Sequence, residues 1–220
     1  MFDVQFFLSL LPTMLRYLGT TLWISVAALA IALLIALGMA MAVELRIPVL
    51  HQISVAWKSL FRGTPLLAQL FWLCYGLPQI IPPLKSVSVM TLLIFGIGFN
   101  ASAYMAESLR GAIFSVGKGQ MEACLSSGMT TLQGMGRIVL PQAVRVAVPA
   151  LANNFVDIIK QSSLAFTLGI KEIMAVAKME GASAYKFLEA FTAVMLFYWL
   201  TITVFNKLQA ILENQLNKKV

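Results

Sequence analysis

The chain has 220 residues, 60% of them hydrophobic and 11% charged, with a formal net charge of +7 and a mean hydropathy of +0.85. Those values exclude an ordinary soluble domain and point to an all-α, polytopic integral membrane protein. The Lys and Arg residues are scattered through the loops, with no basic stripe and no interleaved aromatics. The charge therefore reports topology and excludes a nucleic-acid partner.

In chain order, residues 1–17, with Asp3, Pro12 and Arg16, read as an N-terminal interfacial segment. Tyr17 to Val43 carries no charge and forms the first span, with Trp23 as an interfacial anchor. Ala40-Met41-Ala42 mimics a signal-peptidase site, but the preceding apolar run is too long for a signal peptide. Glu44 to Arg62 reads as a mixed loop with Arg46, His51, Lys58 and Arg62, and His51 as a solvated surface residue. The second span runs from Gly63 to Ile81 and opens on Arg62-Gly63-Thr64-Pro65. Two readings of that opening stand: irregular backbone that lines a cavity at membrane depth, or a plain helix start with Pro at its first turn.

Val87 to Ala106 forms a third span carrying Asn100, Ser102 and Tyr104, ended by Glu107 and Arg110. Residues 119–141 are too polar and Gly-rich to cross a bilayer. They predict a short helix over 120–127, a turn at Gly128 and a second short helix opened by a Thr130/Gln133 capping box. The fourth span, Ile138 to Leu168, is the least apolar and holds Arg145, Asn153, Asn154, Asp157, Lys160, Gln161, Ser162 and Ser163. Gly169 to Lys186 reads as an interfacial helix, Phe187 to Val204 as the fifth span, and the remainder as a charged tail. Cys74 and Cys124 sit at different levels, so neither a disulfide nor a metal site is expected.

Asp157 and Lys160, three apart, share a helix face, and charges at membrane depth usually mark a pathway or pair with each other. With Asn153, Asn154, Gln161 and Ser162 beside them, and Asn100 and Thr64 on other spans, they offer polar groups for the ammonium and carboxylate of an amino acid. The alternative is a pair that only neutralises itself at a helix contact.

Glu122-Ala123-Cys124, three residues, Gly128, nine residues, Ile138, one residue, then Leu140-Pro141 resembles the EAA loop of ABC-importer permeases, with Cys124 where the family usually has a second Ala. Phe61-Arg62-Gly63-Thr64-Pro65-Leu66, Leu140-Pro141-Gln142-Ala143 and Lys160-Gln161-Ser162-Ser163-Leu164 resemble the polar amino-acid uptake branch. Tyr75-Gly76-Leu77-Pro78-Gln79 and the ending Glu213-Asn214-Gln215-Leu216-Asn217 are similar to cystine-type permeases.

The resemblance implies a type I ABC-importer (MetI-like) fold of five transmembrane helices, with one transmembrane domain over 18–210 and a cytoplasmic tail over 211–220. Residues 119–141 would be a cytoplasmic coupling helix, with Glu122, Ala123, Cys124, Gly128, Ile138, Leu140 and Pro141 as its coupling residues. It implies P-loop ATPase subunits that hold ATP and Mg, an extracytoplasmic amino-acid-binding protein and a second permease subunit. This chain has no Gly-x4-Gly-Lys-Ser/Thr loop and is read as needing no cofactor. The implied location is the bacterial inner membrane, N-terminus outside and C-terminus inside.

With that orientation, ten Lys/Arg fall inside (Arg46, Lys58, Arg62, Arg110, Lys118, Arg137, Arg145, Lys207, Lys218, Lys219) and five outside (Arg16, Lys85, Lys171, Lys178, Lys186). The positive-inside rule agrees. An ion-gradient-driven amino-acid transporter would share the spans but not the EAA register. A membrane-embedded enzyme has no His/Asp/Glu cluster at catalytic spacing to support it.

Overall fold

The computed structural model describes residues 2–44 and 48–217, and its regular elements there are all helices. Arg46, Lys218 and Lys219, counted above on the inner side, lie outside the described residues.

Helix α1, Val4–Glu44, is one unbroken rod of 41 residues, about 60 Å long. The separate interfacial segment expected over 1–17 is thus its first turns, with Pro12 inside the helix. Proline forfeits one backbone hydrogen bond there, but Leu10 and Met14 flank it and are buried against Ile173, Val176, Ala190 and Ala193. Tertiary packing overrides the local breaker. Farther along, Ala28, Ala32, Ala36 and Ala40 recur every fourth residue and are all buried. They admit the third long helix so closely that a Cβ on Gly98 would lie 2.9 Å from Ile31 and 3.2 Å from the Ala28 carbonyl. Small residues on both helices let their backbones approach where no water drives association.

The expected loop over 44–62 is instead mostly helix α2, Pro48–Gly63. It presents Ser54, Trp57 and Phe61 inward at helical spacing, and Trp57 packs between Phe61 and Phe99 at ring distances of 4.4 and 5.2 Å. Its exposed face is apolar (Val49, Ile53, Leu60), while Lys58 turns inward to Glu107. Of the charges that suggested a watery loop, Lys58 is paired with Glu107, while Arg62 stays exposed.

Helix α3, Leu66–Ile80, follows after the break at Thr64-Pro65 and contains a π-helical turn, Trp72–Gly76. Helix α4, Val89–Ser115, is capped by Ser88 and continues well past the expected end at Ala106. Glu107 and Arg110 do not end it, because each finds a partner in place: Lys58 at 2.6 Å from Glu107 and Arg110 at 3.0 Å from the same carboxylate.

The polar stretch forms α5, Lys118–Ser126, then the start of α6, Thr131–Leu168, which has a π-helical turn at Met135–Val139 and ends in 3-10 turns. The fourth span therefore begins earlier than Ile138. Helix α7, Ile173–Ala184, lies between spans as expected, and α8, Phe187–Asn217, extends through what was read as the tail. Among the described residues, four helices (α1, α4, α6, α8) are long and apolar enough to cross a membrane, and α3 by itself is shorter than that length.

Candidate functional site

Two places carry polar chemistry: the elbow between α4 and α6, and a cavity between α4 and α6 at the level of Asn154 to Gln161.

The elbow is built by its own sequence. Gly128 has φ 78°, the left-handed region that costs other residues a Cβ clash, and it closes α5. The Met129 N–H donates to the Cys124 carbonyl at 3.0 Å and the Gly128 N–H to Leu125 at 3.0 Å, a Schellman closure. The Thr130 N–H then donates to Gln133 Oε1 at 2.9 Å and the Gln133 N–H to Thr130 Oγ1 at 3.3 Å, completing the expected capping box. Between these two devices the chain has little freedom. Glu122, Ala123, Leu125, Gly128 and Pro141 are exposed, Ile138 and Leu140 half-buried, and Cys124 is buried as a free thiol. The elbow thus offers a surface of Glu122, Ala123 and Leu125, with Leu132 beyond the turn.

The polar cavity, about 250 Å3, is lined by Ala101 and Tyr104 from α4 and Asn154, Asp157 and Gln161 from α6. Asn154 Nδ2 donates to Ser108 Oγ at 2.9 Å and to the Ala150 carbonyl at 3.0 Å, so that amide is held in place. The Gln161 side-chain carbonyl is buried without a partner. Lys160 lies 2.6 Å from Asp157, and both side chains are more than half exposed. A bridge so open to solvent is weak and readily exchanged for a ligand's charges.

Three of the eight residues expected along the pathway therefore line one cavity, and Lys160 joins them through Asp157. The others do not. Asn153 is exposed outside the lining. Ser162 is fully buried and donates to the Ile159 carbonyl at 2.7 Å. Asn100 is buried and donates through Nδ2 to the Phe61 carbonyl at 2.9 Å and to Gln69 Oε1 at 3.0 Å. Gln69 Nε2 in turn reaches Thr64 Oγ1 at 2.7 Å and the Thr64 carbonyl at 3.0 Å. Asn100 and Gln69 thus satisfy the backbone freed at the Thr64-Pro65 break, with Thr64 Oγ1 accepting from Gln69. At the break Arg62 to Pro65 are exposed, and Pro65 stands in extended backbone with ψ 133° immediately before α3.

The break also borders a larger cavity of about 560 Å3, walled by Trp57, Phe61, Trp72 and Phe99, with Thr64 and Gln69 as its polar wall. Among the described residues, none of its lining side chains is charged. Tyr104, Gln69 and Ser108 are the residues that the sequence reading left out of the site. A lone amide such as Asn100 in an apolar span requires a partner, and Gln69 is the polar residue of the neighbouring apolar run. Arg62 stacks over Tyr104 with its guanidinium 5.6 Å from the ring centre, which places a cation beside the polar cavity's aromatic wall.

At the opposite end of the molecule, Asp3, Lys186 and Glu189 tie α1 to α8. Lys186 Nζ lies 2.6 Å from Asp3, and the Asp3 N–H donates to Glu189 at 2.8 Å. The Lys186 ammonium holds the Asp3 carboxyl below its ordinary value.

A helical membrane protein with a polar, exposed elbow between two long apolar helices, and a polar cavity on the helix that the elbow leads into, has the parts of a transporter subunit. The model of the family described as binding-protein-dependent transport system inner membrane component matches residues 32–218, and the chain belongs to that family. It is 48% identical over 217 residues to the probable amino-acid ABC transporter permease protein PatM of Vibrio harveyi, covering 99% of this chain and 97% of that one. It is 29% identical over 221 residues to the L-cystine transport system permease protein TcyL of Bacillus subtilis, covering 99% and 92%. Its structure superposes with a TM-score of 0.89 on the crystal structure of an amino acid ABC transporter with histidines, at 28% identity and covering 98% and 99%. The chain is a multi-pass inner-membrane permease subunit of an amino-acid ABC importer.

Proposed function

We propose that this permease forms, as a dimer of membrane subunits, the pathway for a polar amino acid such as L-cystine, and that residues 119–141 receive the work of separate ATPase subunits. The observation that carries the reading is the elbow. Two independent stop-and-start devices hold its short helix in a fixed pose, with Glu122 and Ala123 outward and the far end continuous with α6. A segment meant only to connect α4 with α6 needs no such rigidity.

In this reading ATP and Mg belong to the partner subunits, and an extracytoplasmic binding protein delivers the substrate. The second of five traverses is made by α2 and α3 together, broken at Thr64-Pro65 and restitched by Asn100 and Gln69. The N-terminus lies outside and α8 ends inside. The cavity at Asn154, Asp157 and Gln161 takes the substrate's charged groups, with Lys160 released from Asp157 to meet its carboxylate. Alternation between inward- and outward-open packings then follows from differential binding to the two states. An ion-gradient-driven transporter is not favoured, because the family match brings with it a binding-protein-dependent system.

The test is uptake of radiolabelled L-cystine, with L-histidine and L-glutamine alongside, into proteoliposomes holding the permease, its ATPase and its binding protein. Glu122→Lys and Gly128→Leu are expected to abolish uptake while ATP hydrolysis and membrane insertion persist. Normal uptake in both would remove the elbow from the mechanism.

A further inference from the structure

Gly134 lies at the root of α6, in ordinary right-handed helical backbone with φ −60° and ψ −45°, so its lack of a side chain does not serve a turn. It is buried, and a Cβ built there would lie 3.0 Å from Cys124 Cβ, 3.0 Å from Met121 Sδ and 3.4 Å from Cys124 Sγ. The methionine thioether can swing away. The Cys124 Cβ is fixed to the backbone of α5 and can retreat only if the helix moves. Glycine at 134 therefore lets α5 rest directly on α6, with Cys124 5% exposed and Met135 1% exposed in the seam.

The other attachment of α5 is different in kind. Its N-terminal link to α4 is Val116-Gly117, in extended backbone with ψ 114° and 138°, and Gly117 caps α5 without a side-chain hydrogen bond. Among the described residues, no atom beyond the adjoining chain lies within 4 Å of where a Cβ on Gly117 or Gly119 would be. Helix α5 is thus locked to α6 by packing, by the Schellman closure and by the Thr130 capping box, and joined to α4 by an open link.

We propose that Gly134 is a positioning residue for coupling: the close seat of Cys124 on Gly134 makes α5 and α6 one rigid body, so that a push on α5 moves the helix bearing Asn154, Asp157 and Gln161 rather than being absorbed at the elbow. This rests on the coupling role proposed above. It adds a residue outside the EAA spacing, and it names α6 rather than α4 as the helix that receives the stroke.

The test compares wild type, Gly134→Ala, Gly134→Leu and the double variant Cys124→Gly/Gly134→Ala, each assembled with the ATPase and binding protein in proteoliposomes. Uptake of L-cystine, L-histidine and L-glutamine per ATP hydrolysed is the readout, with thermal unfolding of the detergent-purified complex beside it. Alanine is favoured over glycine in a helix, so a merely space-filling role predicts an equal or higher unfolding temperature and unchanged coupling for Gly134→Ala.

The expected result is a fall in uptake per ATP of about twofold or more for Ala, which makes the Cys124 Cβ give by a few tenths of an ångström. For Leu, whose bulk forces a larger shift of the size that costs working groups most, a fall of about tenfold or more is expected. Removing the opposing Cβ in Cys124→Gly/Gly134→Ala is expected to restore coupling. Wild-type uptake per ATP in Gly134→Ala and Gly134→Leu overturns the proposal, and so does a loss of assembly in Gly134→Ala that Cys124→Gly fails to recover. If Glu122→Lys also transports normally, the coupling role itself fails. If Glu122→Lys uncouples while Gly134→Ala does not, only the seat at Gly134 is wrong.

Discussion

Gly128 offers the cleanest perturbation in the molecule, because conformation and crowding separate there. Its φ of 78° lies in the left-handed region, yet no atom lies within 4 Å of the position a Cβ would take. Alanine at 128 meets no neighbour, so its whole effect is the backbone cost of a left-handed L-residue, about 1–2 kcal/mol. A shift of that size changes the population of the closed elbow about 5- to 30-fold. Asparagine tolerates the region better than alanine, and β-branched valine tolerates it worse. Coupled uptake per ATP is therefore expected to fall in the order Gly, Asn, Ala, Val. Amide exchange at Gly128 and Met129, whose N–H groups close the Schellman turn, should accelerate in the same order. A valine variant with wild-type coupling and unchanged exchange would refute the claim that the left-handed turn sets the elbow's pose.

Three further outcomes follow from buried or paired charges. Glu172 is fully buried, caps α7 through the Met174 and Ala175 N–H groups and accepts from Tyr198 OH at 3.0 Å; burial pushes its carboxyl above the ordinary value of 4.5. A raised folded-state value means its contribution is full below pH 4.5 and is lost as pH rises through the raised value. Thermal unfolding in detergent should therefore show stability declining across that rise, and Glu172→Gln should flatten it. Asp3 has the opposite sign: held below 3.8 by Lys186, its tie to α8 is present above that value and is lost as pH falls through the lower folded one. Exchange at the Phe6 amide, which donates to Asp3, should rise only in that acid window, and in Asp3→Asn should be high at every pH. Glu107→Gln removes a carboxylate shared by Lys58 and Arg110, whose Lys58 partner is only 16% exposed. A loss of about 2 kcal/mol in unfolding free energy is expected, and a loss near zero would show that the pair is screened.

The class of the protein, four of the five expected spans and the elbow are legible in the residues because each depends on local rules. Charge-free length specifies a span, a left-handed glycine ends α5, and Thr130 with Gln133 opens the next helix. Composition likewise gives the membrane class, and the EAA spacing carries the resemblance to the permease family. What tertiary structure alone decides is where polarity faces. Glu107 and Arg110 read as a helix end and Lys58 as part of a loop, yet they lie along α4 and α2, with Glu107 paired across to Lys58 from another part of the chain and to Arg110 on its own helix. Pro12 reads as part of a separate interfacial segment and is carried inside α1 because Leu10 and Met14 are buried on α7 and α8. Asn100 and Thr64 read as pathway groups, but their hydrogen bonds are spent on the broken backbone, leaving Asn154, Asp157 and Gln161 to line the polar cavity. A hydrogen bond between residues 31 or 39 positions apart has no periodicity to announce it, and only the packed helices settle which polar groups remain free for a substrate.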